Sequence, residues 1–238
     1  HTTIFFHEEL TPILWIEAFT SLRHLTRSIL KKLYKASPRL YFAMCDFIYY
    51  SGNPPHGIGE GERNPDGVGI LNLKTGILEK DHPTPEEKEY QNGDYFIHWR
   101  YGNAGTKGVK NVQPFEVRPE KIWAGTLGLI KELSHDHEKS DANLFASLLE
   151  QSDDPEQAFL NFSKKYTGLI FLITKKKIIL SISSRDVYQG KNWIASFKAA
   201  DGPGVKQISN KMDTQRIKKF QINLDGDVSS AGLNVVLL

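Results

Sequence analysis

Met44-Cys45-Asp46-Phe47-Ile48-Tyr49-Tyr50 is a short apolar, strand-like run that carries the only cysteine among 238 residues. With no second thiol, Cys45 has no partner for an internal disulfide or a thiolate metal cage. It is therefore either a buried apolar side chain or a nucleophile. The turn-rich sequence that follows, Ser51-Gly52-Asn53-Pro54-Pro55 and Gly57-Ile58-Gly59-Glu60-Gly61, closes the strand. The glycine spacing is not that of a dinucleotide fingerprint, and no helical pattern follows it.

Composition narrows the classes of function. A chain that is 39% hydrophobic and 11% aromatic supplies a full core for one large or two small domains. It contains no apolar run of membrane-spanning length, and one cysteine fits a reducing compartment, so a cytoplasmic protein is expected. The net charge of +2 is unevenly placed. Residues 1–43 hold six Lys/Arg against three Asp/Glu, which leaves 24 against 25 from Met44 onward. A near-neutral body gives no basic surface for nucleic acid.

Residues 1–43 read as a separate piece. Trp15, Phe19, Leu22, Leu25, Ile29 and Leu33 recur at spacings of three and four with Arg23, Arg27, Lys31 and Lys32 between them, predicting an amphipathic helix stopped by Pro38. The only methionines are Met44 and Met212. If the sequence contains a native initiator, it is Met44, and its removal would leave Cys45 with a free α-amino group.

From Cys45 onward the pattern is strands and turns. Asn64-Pro65-Asp66-Gly67 leads into Val68–Leu73, with Lys74-Thr75-Gly76 as a hairpin turn, and Asp94–Tyr101 reads as a buried strand with Arg100 near its end. An arginine among aromatics needs a partner, and a bound carboxylate is one candidate. Residues 119–133 mix a strand at Lys121–Ala124 with a short helical stretch. Ser140-Asp141 before Ala142–Leu149 reads as a capped helix, and Pro155–Lys165 as a second. Leu169–Thr174 and Ile178–Ser183 form an apolar hairpin around a solvated Lys175-Lys176-Lys177 turn, with later strands at Asn192–Ser196 and Ile217–Leu224. His135-Asp136-His137-Glu138 is a polar loop without further convergent ligands, so no metal and no cofactor is expected. Strands at both ends and two helices between them fit an α+β domain of stacked sheets.

Five stretches occur together in a telling order: Met44-Cys45, Asn64–Ile70, Arg100-Tyr101-Gly102-Asn103-Ala104-Gly105, Gln113-Pro114-Phe115 and Ser140–Phe145. In order and rough spacing they resemble class II glutamine amidotransferase domains, which are N-terminal-nucleophile hydrolases. Trp193-Ile194-Ala195-Ser196 resembles the stand-alone branch of that family. The resemblance covers residues 44–238 and implies a four-layer αββα sandwich, to which residues 1–43 add an extra N-terminal helix. It implies that Cys45 is a nucleophile acting on glutamine or a related γ-glutamyl amide, its own α-amine serving as general base. By the same resemblance Arg100 holds the substrate α-carboxylate, Asp141 the α-ammonium, and Gly125 a backbone donor for the oxyanion. The ammonia released would pass to a partner protein or be lost in simple hydrolysis.

The chain also departs from that pattern. Trp123-Ala124-Gly125-Thr126-Leu127 stands where relatives carry His-Asn-Gly, so the asparagine oxyanion donor is absent. Losing one such donor typically costs about 10²–10³ in rate. Asn103 is a candidate substitute amide. The alternative is a catalytically impaired member that binds glutamine or a partner protein. A cysteine protease using His98 or His56 is a third reading, without a recognisable nucleophile context.

Overall fold

Alternating side chains of one strand feed two different cores. In β1 (Asp46–Gly52), Phe47 and Tyr49 point into one apolar cluster while Ile48 and Tyr50 point into another, and all four are at most 1% exposed. A strand buried on both faces must lie inside a sheet and between layers. The computed structural model places it so. It describes residues 45–58, 64, 66–86, 88–102, 105–134, 136–166, 168–199, 204–212, 216–224 and 234–238. The helix expected within 15–33 lies outside these residues, as does Asn103.

The strands after β1 are β2 (Val68–Asn72), β3 (Leu78–Asp81), β4 (Gly93–Trp99), β5 (Phe115–Arg118) and β6 (Ile122–Thr126). Two helices follow, α1 (Asp141–Glu150) and α2 (Pro155–Ser163). The remaining strands are β7 (Leu169–Thr174), β8 (Lys177–Ile182), β9 (Val187–Gln189), β10 (Trp193–Ala195), β11 (Lys206–Ser209), β12 (Lys218–Asn223) and β13 (Val235–Leu237). They make a seven-stranded sheet, β11-β9-β10-β1-β4-β2-β3, and a six-stranded sheet, β13-β12-β8-β7-β6-β5. The paired strands in both are antiparallel.

The main core lies between the sheets. Phe47 stacks on Phe96 with ring centroids 5.5 Å apart, and Phe96 meets Phe171 of the other sheet at 4.7 Å. The outer face of the six-stranded sheet carries the helices, through Phe145, Leu149 and Phe159 against Phe115, Ala124, Ile170 and Leu172. The local sequence dictates both helix starts. Ser140 accepts the Asn143 N–H, while Asp154 accepts the Gln157 N–H ahead of Pro155 in the first turn. The cap of α1 is thus Ser140, and Asp141 is released for another partner.

The architecture is α+β, mostly sheet, with two antiparallel sheets and two helices. The outer face of the seven-stranded sheet is covered, among the described residues, by Ile58, Tyr90, Phe197, Ala199 and Val205 rather than by a helix. The described residues therefore contribute three layers of the expected four. The helical stretch expected within 119–133 is only a single 3-10 turn at Lys131–Leu133, after the longer strand β6. Lys177 belongs to β8, and its Nζ pairs with Glu156 at 2.6 Å instead of sitting in a wholly solvated turn. No helix among the described residues is long and apolar enough to cross a membrane.

Candidate active site

Pairing of β1 with β4 sets Asp46 opposite Trp99, so one step further along the same register Cys45 lies beside Arg100. Arg100 shares the inter-sheet side of its strand with Phe96 and His98, by the period of two that also sends Cys45 to the side of Phe47. The Cys45 sulfur accepts the Tyr101 N–H at 3.3 Å and lies 3.6 Å from the Tyr101 carbonyl. Only 5% of the residue is exposed. Burial pushes the thiol up to about 11, an effect that the Tyr101 N–H and the charges of Arg185 and Arg100 only partly offset and that Asp46 adds to. The group is a neutral thiol at physiological pH.

Arg100 is 2% exposed, and its backbone N–H donates to the Gly67 carbonyl at 2.8 Å. Its guanidinium packs against Gly102 so closely that a Cβ there would lie 3.1 Å from Nη1 and 3.2 Å from Asp66 Oδ2. Asp66 accepts the Gly102 N–H at 2.8 Å and pairs with Lys107 at 2.9 Å. Burial alone would raise the Asp66 carboxyl, but that N–H and the charges of Lys107 and Arg100 outweigh it and hold the group below its ordinary value. Sequence reading gives Asp66 only the ordering of its own turn. In the fold it also ties down the loop after Arg100.

Asp141, in the first turn of α1, accepts the Ile130 N–H through Oδ2 at 2.6 Å. Burial raises its carboxyl, while the Ile130 N–H and the nearby charge of Arg100 act the other way. The Arg100 charge is felt at both Cys45 and Asp141, in each case as a smaller effect than burial.

Gly125 lies within β6 opposite Phe171. Leu127 N–H donates to Leu169 across the same pair of strands, so by the alternation of an antiparallel ladder the Gly125 N–H also faces β7. The Gln113 side chain takes the Thr126 N–H at 2.7 Å. The Ala124 side chain points into the core beneath the helices, away from the inter-sheet side.

Four further residues take places here that sequence reading does not assign them, although His98 and Ser196 are named there in other roles. Arg185 Nη2 donates to the Cys45 carbonyl at 2.7 Å. Ser196 Oγ accepts the Phe47 N–H at 2.9 Å and donates to Asp46 at 3.1 Å, clamping the peptide after the cysteine. Tyr166 reaches Thr126 Oγ1 at 3.4 Å, and burial pushes its phenol up to about 12. His98 is fully buried, faces Phe171 with centroids 5.9 Å apart, and is driven by burial down to about 3. Its strand partner is Phe47 rather than Cys45. No sequence signal marks Arg185, which lies three residues beyond the end of β8.

A cavity of about 430 Å³ includes Tyr166 in its lining, with Leu129, Lys131, Leu133, Phe162 and Lys165, but not Cys45, Arg100 or Asp141. Asp136 accepts the N–H groups of Glu138 and Lys139, which makes that polar stretch a turn. Among the described residues no three His, Cys, Asp or Glu side chains converge as metal ligands would.

No family model matches the chain, and no curated protein matches it. Solved structures do. The glutamine phosphoribosylpyrophosphate amidotransferase of B. subtilis, complexed with ADP and GMP, is similar over 81% of this chain and 48% of its own, at 18% identity and a TM-score of 0.53. A structure described as the allosteric regulatory enzyme of purine biosynthesis gives the same values. A glutamine aminotransferase class-II domain protein from Silicibacter pomeroyi is covered over 98% of its length, at 11% identity and a TM-score of 0.45. The chain thus spans about half the length of the first two structures and has the fold of part of them. At the level of fold this is the resemblance carried by the motifs.

Proposed function

We propose that residues 44–238 form a glutamine amidotransferase-like amidohydrolase with Cys45 as its nucleophile. The observation that supports this reading is the β1–β4 register, which, carried one step past Asp46 and Trp99, sets Cys45 beside Arg100, whose charge is felt at both Cys45 and Asp141. A buried thiol held near 11 needs a base at hand. The α-amine of a Cys45 freed from Met44 is that base. It takes the thiol proton as sulfur attacks the side-chain amide carbon of glutamine or a related γ-glutamyl amide. The proton then passes to the leaving nitrogen, ammonia departs, and water cleaves the thioester to a γ-carboxylate, restoring the thiol.

In this reading Arg100 forks onto the substrate α-carboxylate and Asp141 receives its α-ammonium. Oxyanion stabilisation falls to Gly125 and to Asn103. The reading also carries the four-layer αββα sandwich, a cytoplasmic location, and an ammonia-accepting partner protein.

A second reading, a catalytically impaired glutamine-binding or protein-interaction module, draws on two observations. Ala124 turns toward the helices, and the Gly125 N–H faces β7, so the position of the usual oxyanion donors offers neither an amide side chain nor a disengaged N–H. Intact mass and N-terminal sequencing, combined with the electrophile 6-diazo-5-oxo-L-norleucine, separate the two. The enzyme reading expects one adduct at Cys45 in protein that begins at Cys45. Protein that begins at Cys45 and takes no label is the impaired module.

A further inference from the structure

Arg185 reaches the cysteine across 140 residues of sequence by an unusual backbone route. β8 ends at Ile182, and the turn after it is fixed by Ser183 N–H on the Gly168 carbonyl at 2.7 Å. Ser184 then takes φ 58, in the left-handed region, where a non-glycine residue is strained and persists only when its surroundings enforce it. Immediately after it, the Arg185 side chain enters the protein and is only 8% exposed. Nη2 is spent on the Cys45 carbonyl, and Nε has no hydrogen-bond partner among the described residues. Burying a guanidinium so incompletely paired is costly, and it is done here directly behind the only thiol in the chain.

The titratable groups that face Arg185 are the carboxylates of Asp46 and Asp186 and the neutral Cys45 thiol and Tyr166 phenol. Asp46 is engaged through Oδ1 by Ser196 and through Oδ2 by Asn64 at 3.4 Å. Asp186 Oδ1 is engaged by Gln207 and by the Lys211 N–H. Cys45 itself is faced by Arg185, Asp46 and Arg100. Arg100 follows β4, whereas Arg185 approaches from the loop beyond β8, and both buried cations act on the thiol.

We infer that Arg185 is a positioning residue for Cys45: it fixes the carbonyl of the cysteine and presents a permanent positive charge that stabilises the thiolate. Both actions are needed by a nucleophile whose burial otherwise holds it in the inert thiol form. The inference rests on Cys45 as the nucleophile proposed above, but its readout needs no turnover.

Because Cys45 is the only thiol, carbamidomethylation by iodoacetamide, read on the Cys45 peptide by mass spectrometry, reports on it separately from lysine and histidine. Rates are followed from pH 7 to 11.5 on the whole chain and on Arg185→Gln and Arg185→Lys, with circular dichroism to check folding. Gln keeps a donor for the carbonyl and removes the charge; Lys keeps the charge. For Gln the midpoint is expected to rise, with alkylation at pH 8 about tenfold slower for each unit of upward shift. For Lys the midpoint should stay with the wild type. A folded Gln variant with the wild-type midpoint overturns the inference, as does a Lys variant displaced as far as Gln. If the Gln variant does not fold, Lys decides alone: a wild-type midpoint supports the role and a raised one overturns it. Failure of the glutamine analogue to label an N-terminal Cys45 sinks the amidohydrolase reading but leaves these midpoints unaffected, so the two failures are distinct.

Discussion

Asp141 Oδ2 accepts the Ile130 N–H at 2.6 Å, joining the first turn of α1 to the segment that leaves β6. Removal of the carboxylate in Asp141→Ala leaves that buried N–H without its acceptor, which costs about 1–3 kcal/mol. Asp141→Asn retains an acceptor oxygen and should recover most of the loss in urea denaturation. If Asp141 also receives the substrate ammonium, Asn will fold normally yet be labelled more slowly by 6-diazo-5-oxo-L-norleucine. Equal labelling of Asn and wild type would confine Asp141 to holding the loop.

His98 makes stability depend on pH in a defined direction. Its folded value, about 3, lies below the ordinary 6.5, so between these the unfolded chain binds the extra proton. The burden is absent above pH 6.5 and grows as pH falls through that window, with a slope of up to about 1.4 kcal/mol per pH unit. Comparing urea denaturation of wild type and His98→Gln at pH 7.5 and 5 should show the wild type losing more. Parallel losses would mean that His98 is not buried neutral.

Asp66 and Lys107 form an ion pair, but their truncations should not be equivalent. Lys107 is 72% exposed, and pairs of that kind contribute about 0–1 kcal/mol, so Lys107→Ala should be nearly silent. Asp66→Ala also strips the acceptor from the Gly102 N–H and should be the more destabilising in thermal unfolding. Faster proteolysis in the loop after Arg100 is the accompanying sign.

Gly125→Ala tests packing directly. A Cβ at this position would collide with the Phe171 ring and with Gln113 Oε1. The overpacked core should lose about 1–3 kcal/mol in thermal or urea unfolding. An unchanged midpoint would show that the Phe171 ring and the Gln113 side chain leave room for a methyl group beside β6.

Elements with strong local signals were legible in the sequence. The apolar runs of β1, β7 and β8 announce buried strands because each residue has a core to face, and Pro155 behind Asp154 marks α2 because a proline fits only its first turn. The short strands β9, β11 and β13 were not legible, since three or four residues with mixed burial leave no period to read. Cys45, Arg100 and Asp141 could be named from motif spacing, whereas Arg185 could not. Its role depends on Ser184 taking a positive φ and on β1 lying nearby, both products of tertiary packing. Ser140 and Asp141 show the same limit at close range, because either residue can cap a helix and only the position of Ile130 decides between them.

The tightness around Gly125 bears on what the persistence of that residue means. With Phe171 on one side and the Gln113 amide on the other, any side chain is excluded whether or not an oxyanion ever forms there. The sheet alone requires this glycine, whether or not the chain hydrolyses amides. Glycine at 125 is therefore silent about catalysis, and so is Ala124, whose fully buried place in the apolar cluster beneath the helices disfavours an amide side chain on packing grounds alone.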